Sequence, residues 1–167
     1  MAEAGIRLVY GGGRIGLMGA LATGVLSHGG SVCGVIPDFL RDKELAHAEI
    51  QDLIVVDSMH LRKMRMFEQS DAFAVLPGGF GTLDETLEML TWRQLGLHEK
   101  PVFLLDWQGF WQPLMGLAEH LAREGFLRPD HRTYMTRVES VEELVERFLD
   151  AVAAGRARHA GAAPDVA

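Results

Sequence analysis

The chain has 167 residues, nearly half of them apolar, and a formal net charge of −7. That length suits one domain with a sizeable core, and the charge argues against broad binding to nucleic acid or an anionic membrane. Any anionic ligand then needs a local basic site.

The first five residues, "MAEAG", read either as the last turn of a helix closed by Gly5, glycine being favoured just past a helix C-terminus, or as a plain N-terminal arm. "IRLVY" (6–10) is the first predicted strand. "GGGRIGLMG" (11–19) follows and opens a helix predicted over about 15–28, with Gly11, Gly13 and Gly16 in G-x-G-x-x-G spacing. Glycines there let backbone amides approach a phosphate at a helix N-terminus; the alternative is a tight turn with close strand–helix packing. "SVCGVI" (31–36) is the second strand, and Asp38 follows about where a dinucleotide fold places its ribose-binding acid. "LIVVD" (53–57) is the third strand. The helix predicted over 59–70 has Ser58 as N-cap and His60, Arg62, Lys63 and Arg65 crowded into its early turns. Cations there oppose the helix dipole, so they point to an anionic partner, unless they form a solvated face paired to Glu68 or Asp71. Met59, Met64, Met66 and Phe67 read as core or interface.

"AFAVL" (72–76) is the fourth strand and runs into "PGGFGTLDE" (77–85). Gly78, Gly79 and Gly81 free the backbone, Thr82 is placed to cap a helix over 82–96, and Pro77 falls at the strand end, where a missing amide costs least. Thr82 to Glu85 has capping-box spacing, so Glu85 either bonds back to the helix start or does chemistry. In both cases it is expected in the first turn, where the helix field favours the carboxylate and suits it to act as a base or to stabilise positive charge. "PVFLL" (101–105) and the weaker "YMTRV" (134–138) complete six strands, with helices over 110–124 and 140–154; Ser140 and Glu143 have capping-box spacing for the last. Near-continuous apolar strands alternating with helices give a parallel sheet covered on both faces, with both glycine-rich turns at its C-terminal edge. One domain over 1–154 and a disordered tail over 155–167 are expected.

Cys33, the single cysteine, leaves no intrachain disulfide and no thiolate zinc cage; it lies in an apolar run and reads as packing. His28, His47, His98, His120, His131 and His159 show no paired metal-ligand spacing, so no metal is expected. No apolar run is long enough to span a membrane and no signal peptide is read, which makes the cytoplasm the expected location.

Together "GGGRIGLMG", "MHLRK", "PGGFGTLDE" and "TWRQLGLHEKPV" resemble, in matching order over about 6–148, the Lonely Guy family of cytokinin-activating phosphoribohydrolases, long mislabelled as lysine decarboxylases. The signature P-G-G-x-G-T-x-x-E is matched in full by 77–85. The resemblance implies an α/β, Rossmann-like three-layer sandwich and hydrolysis of the N-glycosidic bond of a nucleoside 5′-monophosphate, giving an adenine-type base and ribose 5-phosphate. It maps the catalytic pair onto Arg62 and Glu85. Gly11, Gly12, Gly13, Gly78, Gly79, Gly81 and Thr82 would hold the phosphate and ribose, with Met59 and Lys63 as further substrate contacts and Trp92 shaping the pocket. No cofactor is implied, and a homodimer is; the apolar helix from Thr82 onward is its candidate interface, if that stripe is not simply core. One departure stands out. Family members usually begin with an additional strand and helix and a Cys-Gly-Ser-type turn, which this chain lacks. The expectation is a natural start further upstream, or a form that is poorly stable and weakly active. The rivals are an NAD-dependent oxidoreductase, which leaves the second glycine turn and the basic helix unexplained, and a non-catalytic nucleotide or molybdenum-cofactor carrier, which does not require Arg62 and Glu85 together.

Overall fold

Six parallel strands fall into two hydrogen-bonded sheets of three in the computed structural model, which describes residues 1–41, 47, 49–50 and 52–161. They belong to two compact units, Met1–Ser70 and Asp71–Ala167. The α/β, Rossmann-like layering expected from the sequence is present in both.

In the first unit the order is β1 (Leu8–Tyr10), α1 (Gly16–Ser27), β2 (Val32–Pro37), α2 (Asp38–Arg41), β3 (Asp52–Val56) and α3 (Met59–Gln69). A 3-10 turn, Ala2–Ala4, precedes them and closes on Gly5 in the left-handed region (φ 65), so "MAEAG" is a helical turn, tighter than an α-helix. β2 is central, with Leu8 opposite Val32 and Cys33 opposite Asp52. Every residue of β2 is buried because helices cover both faces. Leu8, Tyr10 and Val32 pack with Ala22 and Val25 of α1 on one side. Cys33, Val35 and Val56 pack with Met66 of α3 on the other. Alternation along the strand produces the division. Burial, with the Asp52 carboxylate nearby, pushes the Cys33 thiol up, so it stays protonated and inert, as its apolar run suggests.

The second unit runs β4 (Phe73–Val75), α4 (Phe80–Gln94), β5 (Val102–Leu105), a 3-10 turn (Trp107–Gly109), α5 (Gln112–Arg123), a second 3-10 turn (Pro129–Tyr134), β6 (Met135–Val138) and α6 (Val141–Gly161). β5 is central and wholly buried. Val102 and Leu104 face the α4–α5 side with Trp111, Leu83 and Leu90. Phe103 and Leu105 face α6 through Leu144 and Phe148. Ser140 caps α6 as its spacing predicts: its Oγ accepts the Glu143 N–H at 3.1 Å, while the Glu143 carboxylate accepts the Glu139 N–H at 3.0 Å. The helix runs past the expected end at 154, an extension that alanine and arginine favour. Residues 162–167 of the expected tail lie outside the described residues.

Candidate functional site

Two glycine-rich turns follow β1 and β4, each leaving the C-terminal end of a parallel strand, where open α/β folds bind ligands.

In the first unit the turn is organised around Arg62. Ser58 caps α3, its Oγ accepting the Leu61 N–H at 3.2 Å, and one turn further on Arg62 points inward, only 5% exposed. Its Nη2 donates to the Gly11 carbonyl at 2.8 Å and its Nε to the Val35 carbonyl at 3.2 Å. Nη1 lies 3.8 Å from Met59 Sδ. A buried guanidinium is tolerated only where acceptors meet its donors, and these backbone carbonyls fix its position. Gly11 is required for it, since a Cβ there would lie 2.2 Å from Nη2. Gly12 has φ 78, and its Cα lies 2.9 Å from where a Gly34 Cβ would stand. Gly11, Gly12 and Gly13 are all buried. Gly16, by contrast, is exposed at the start of α1 with nothing near it.

Other basic residues of α3 separate by environment. Arg65 pairs with Glu68 at 2.8 Å on the surface, which is the solvated-face alternative. Lys63 is half-buried, and Met59 and His60 are exposed. Asp38 heads the short α2 just past β2 and pairs with Arg41 at 3.5 Å in solvent. One residue escaped the sequence reading. His47 is buried, its N–H donates to the Gly12 carbonyl at 3.1 Å, and its Nε2 lies 3.0 Å from Thr23 Oγ1 on α1. Histidine spacing, read only for metal ligands, carries no sign of that role.

In the second unit the turn corrects the expected helix start. α4 begins at Phe80, and its N-cap is Gly79 in extended conformation, with no side-chain cap. The Leu83 N–H already bonds the Gly79 carbonyl at 3.0 Å. Thr82 is therefore inside the helix and is not its cap, so Glu85 cannot close a capping box with it. Glu85 lies in the second turn rather than the first, half-buried. The reason is local: Gly79 takes the cap conformation easily, and Phe80 and Gly81 continue the helix backwards. The Thr82 side chain folds instead over Gly78, where a Cβ would come 2.1 Å from its Oγ1. A Cβ on Gly79 or Gly81 would meet nothing within 4 Å, and both residues are exposed, so the space beside the start of α4 is open.

The structure thus brings Gly11, Gly12, Met59 and Arg62 together in the first unit and Gly78, Thr82 and the α4 start together in the second.

A family model described as "Possible lysine decarboxylase" matches residues 18–148. Among curated proteins, the chain is 48% identical over 143 residues to a cytokinin riboside 5′-monophosphate phosphoribohydrolase of Rhodococcoides fascians, covering 85% of this chain and 72% of that protein. It is 44% identical over 147 residues to one of Arabidopsis thaliana, covering 88% and 69%. A probable enzyme of the same name from Oryza sativa subsp. japonica is 47% identical over 144 residues, 86% of this chain. The chain spans only 65% of that rice protein's length, just under two thirds. With the signature of residues 77–85 now placed at the start of α4, the chain belongs to this family, the Lonely Guy family its motifs resemble.

Proposed function

We propose that this chain is a nucleoside 5′-monophosphate phosphoribohydrolase. Its substrate is adenosine 5′-monophosphate, plain or N6-modified, and its products are the free base and ribose 5-phosphate. The names of its relatives support the reaction. The observation that carries the residue assignment is the helix cap: α4 is closed by Gly79 alone, so the capping role that competed for Glu85 is gone.

Cleavage of the N-glycosidic bond builds oxocarbenium-like positive charge on the ribose. In this reading the Glu85 carboxylate stabilises that charge and orients the attacking water, and Arg62, already seated on two carbonyls, binds substrate anion without reorganising. The exposed turn at Gly79 and Gly81, with Gly78 and the Thr82 hydroxyl, grips the 5′-phosphate at the start of α4. Gly11, Gly12 and Gly13 act through the turn that seats Arg62, and Met59 and Lys63 border it. Water is the only co-reactant the step needs, so no cofactor is assigned. No helix among the described residues is long and apolar enough to cross a membrane. Cytoplasmic location, a homodimer and a free nucleotide rather than nucleic acid as ligand complete the proposal; the net charge of −7 supports the last.

Incubation with adenosine monophosphate and an N6-alkylated analogue, followed by chromatography, should release free base. Glu85→Gln should lower that release at least about a hundredfold with the melting temperature nearly unchanged. A variant that unfolds yet keeps its specific activity per folded molecule would remove Glu85 from the reaction.

A further inference from the structure

β4 and β5 run parallel, with Phe73 opposite Val102, Ala74 opposite Phe103 and Val75 opposite Leu104. Each strand therefore delivers its following turn to the same edge of the sheet: residues 77–79 after β4 and residues 106–110 after β5. Paired strands lie about 4.8 Å apart, so the two turns are neighbours. A large aromatic side chain stands out at each, from the first residue of α4 just past the β4 turn and from inside the β5 turn. Phe80 is 92% exposed and Trp107 is 54% exposed. One exposed apolar residue is ordinary. What sets Phe80 and Trp107 apart is their place, beside an open glycine turn at the ligand edge of a parallel sheet.

The β5 turn is built to hold Trp107 in place. Asp106, just before it, is buried. Its N–H donates to the Val138 carbonyl at 2.8 Å, and its carboxylate accepts the Trp111 N–H at 2.7 Å and Arg137 Nε at 2.6 Å. Just after it, Gln108 adopts φ 53, ψ 31, a left-handed conformation costly to a residue with a Cβ. Phe110 then packs edge-on against buried Trp111, ring centroids 4.9 Å apart. Trp107 itself belongs to neither apolar cluster of the unit. The backbone is anchored and strained around a side chain the core does not use, a pattern characteristic of functional turns.

We propose that Phe80 and Trp107 form an aromatic rim that receives the adenine ring of the nucleotide whose phosphate end the Gly78–Gly81 turn holds. The inference rests on the hydrolase reading and adds specificity-determining residues to it. An aromatic rim reads a base by its face, so it accepts plain adenine, and an apolar N6 substituent only adds contact area.

The test compares a ligand that has a base with one that lacks it. Phe80→Ala and Trp107→Ala are assayed for KM and kcat with adenosine monophosphate and for inhibition by ribose 5-phosphate. Each should raise KM about tenfold, within the range for loss of one base–aromatic contact. Ribose 5-phosphate inhibition should stay at the wild-type level, and Trp107→Phe should restore most of the lost affinity. Equal weakening of both ligands would place the residues under the phosphate turn and overturn the rim. Unchanged constants would overturn it too, and a change of mass by light scattering with unchanged constants would assign this edge to a second protein chain. If the wild type binds adenosine monophosphate without hydrolysing it, the hydrolase reading falls, and calorimetric binding to the same variants decides the rim. If it does not bind at all, both fall.

Discussion

Glycines that look interchangeable in the two motifs are not. A Cβ on Gly11 would collide with the Arg62 guanidinium, whereas one on Gly81 would meet nothing within 4 Å. Gly11→Ala should therefore push Arg62 off its carbonyl seat. The expected cost is about 1–3 kcal/mol in urea unfolding, the scale for stranding buried polar groups, together with loss of base release. Gly81→Ala should do the reverse: stability unchanged or raised by up to about 1 kcal/mol, since alanine is the better helix residue, but weaker phosphate binding. The sequence placed both turns correctly and could not tell their purposes apart. Gly11 serves an arginine 51 residues away, and Gly12 packs on Gly34; no local spacing encodes such partners. Gln108 escaped notice for a related reason, since nothing in glutamine announces a positive φ. Because Gln108→Gly removes that strain, it should stabilise the fold by about 0.5–1 kcal/mol, the gain left when a left-handed cost of about 1–2 kcal/mol is set against glycine's entropy. Chemical denaturation would read it.

Elements were legible where their causes are local. All six strands and the five longer helices fall where apolar periodicity puts them, because burial on both faces writes itself into four or five consecutive residues. Ser58 and Ser140 were readable as caps because a cap bonds only two or three residues ahead. α4 is the instructive exception. Thr82 has the right spacing for a capping box, but Gly79 ends the chain's extended run first, and the pattern is bypassed. The consequence is measurable: Ser140→Ala should cost about 1 kcal/mol, whereas Thr82→Ala should cost no cap energy and should damage phosphate binding instead. The junction after α4 carries a pH dependence of its own. His98 Nδ1 accepts the Lys100 N–H at 3.0 Å, so Nε2 is the donor to the Met89 carbonyl at 2.9 Å. Burial holds the imidazole below its ordinary value, and the nearby Arg93 and Lys100 charges add to this against the opposing Met89 bond. With the folded value below the unfolded value of about 6.5, stability is independent of this group above about pH 6.5. As pH falls below that, the unfolded chain takes up the proton first and stability declines until the folded value is reached. The melting temperature of the wild type should drop across that window, and His98→Gln should flatten the drop.

At the scale of the whole molecule, each unit has its own parallel sheet and its own apolar clusters, and what remains unburied becomes the informative part. α4 is apolar on more than one side. Leu83 and Leu90 pack against the Val75–Leu104 cluster and Met89 is buried, which is the core reading of its stripe. Leu87 is nonetheless 49% exposed, Leu95 just past the helix end is 67% exposed, and Leu97 is 65% exposed. Exposed leucines of this size, clustered on and just past one helix, suit contact with a second apolar surface. The proposed homodimer supplies it. The wild type should therefore scatter as twice 18.4 kDa. Replacing Leu87 and Leu95 together by glutamate should bring the mass to 18.4 kDa, because charge cannot be buried at an apolar contact without a partner, while the circular dichroism of the folded chain stays unchanged. A wild type that already scatters as a single chain would mean that Leu87, Leu95 and Leu97 meet something other than a second copy.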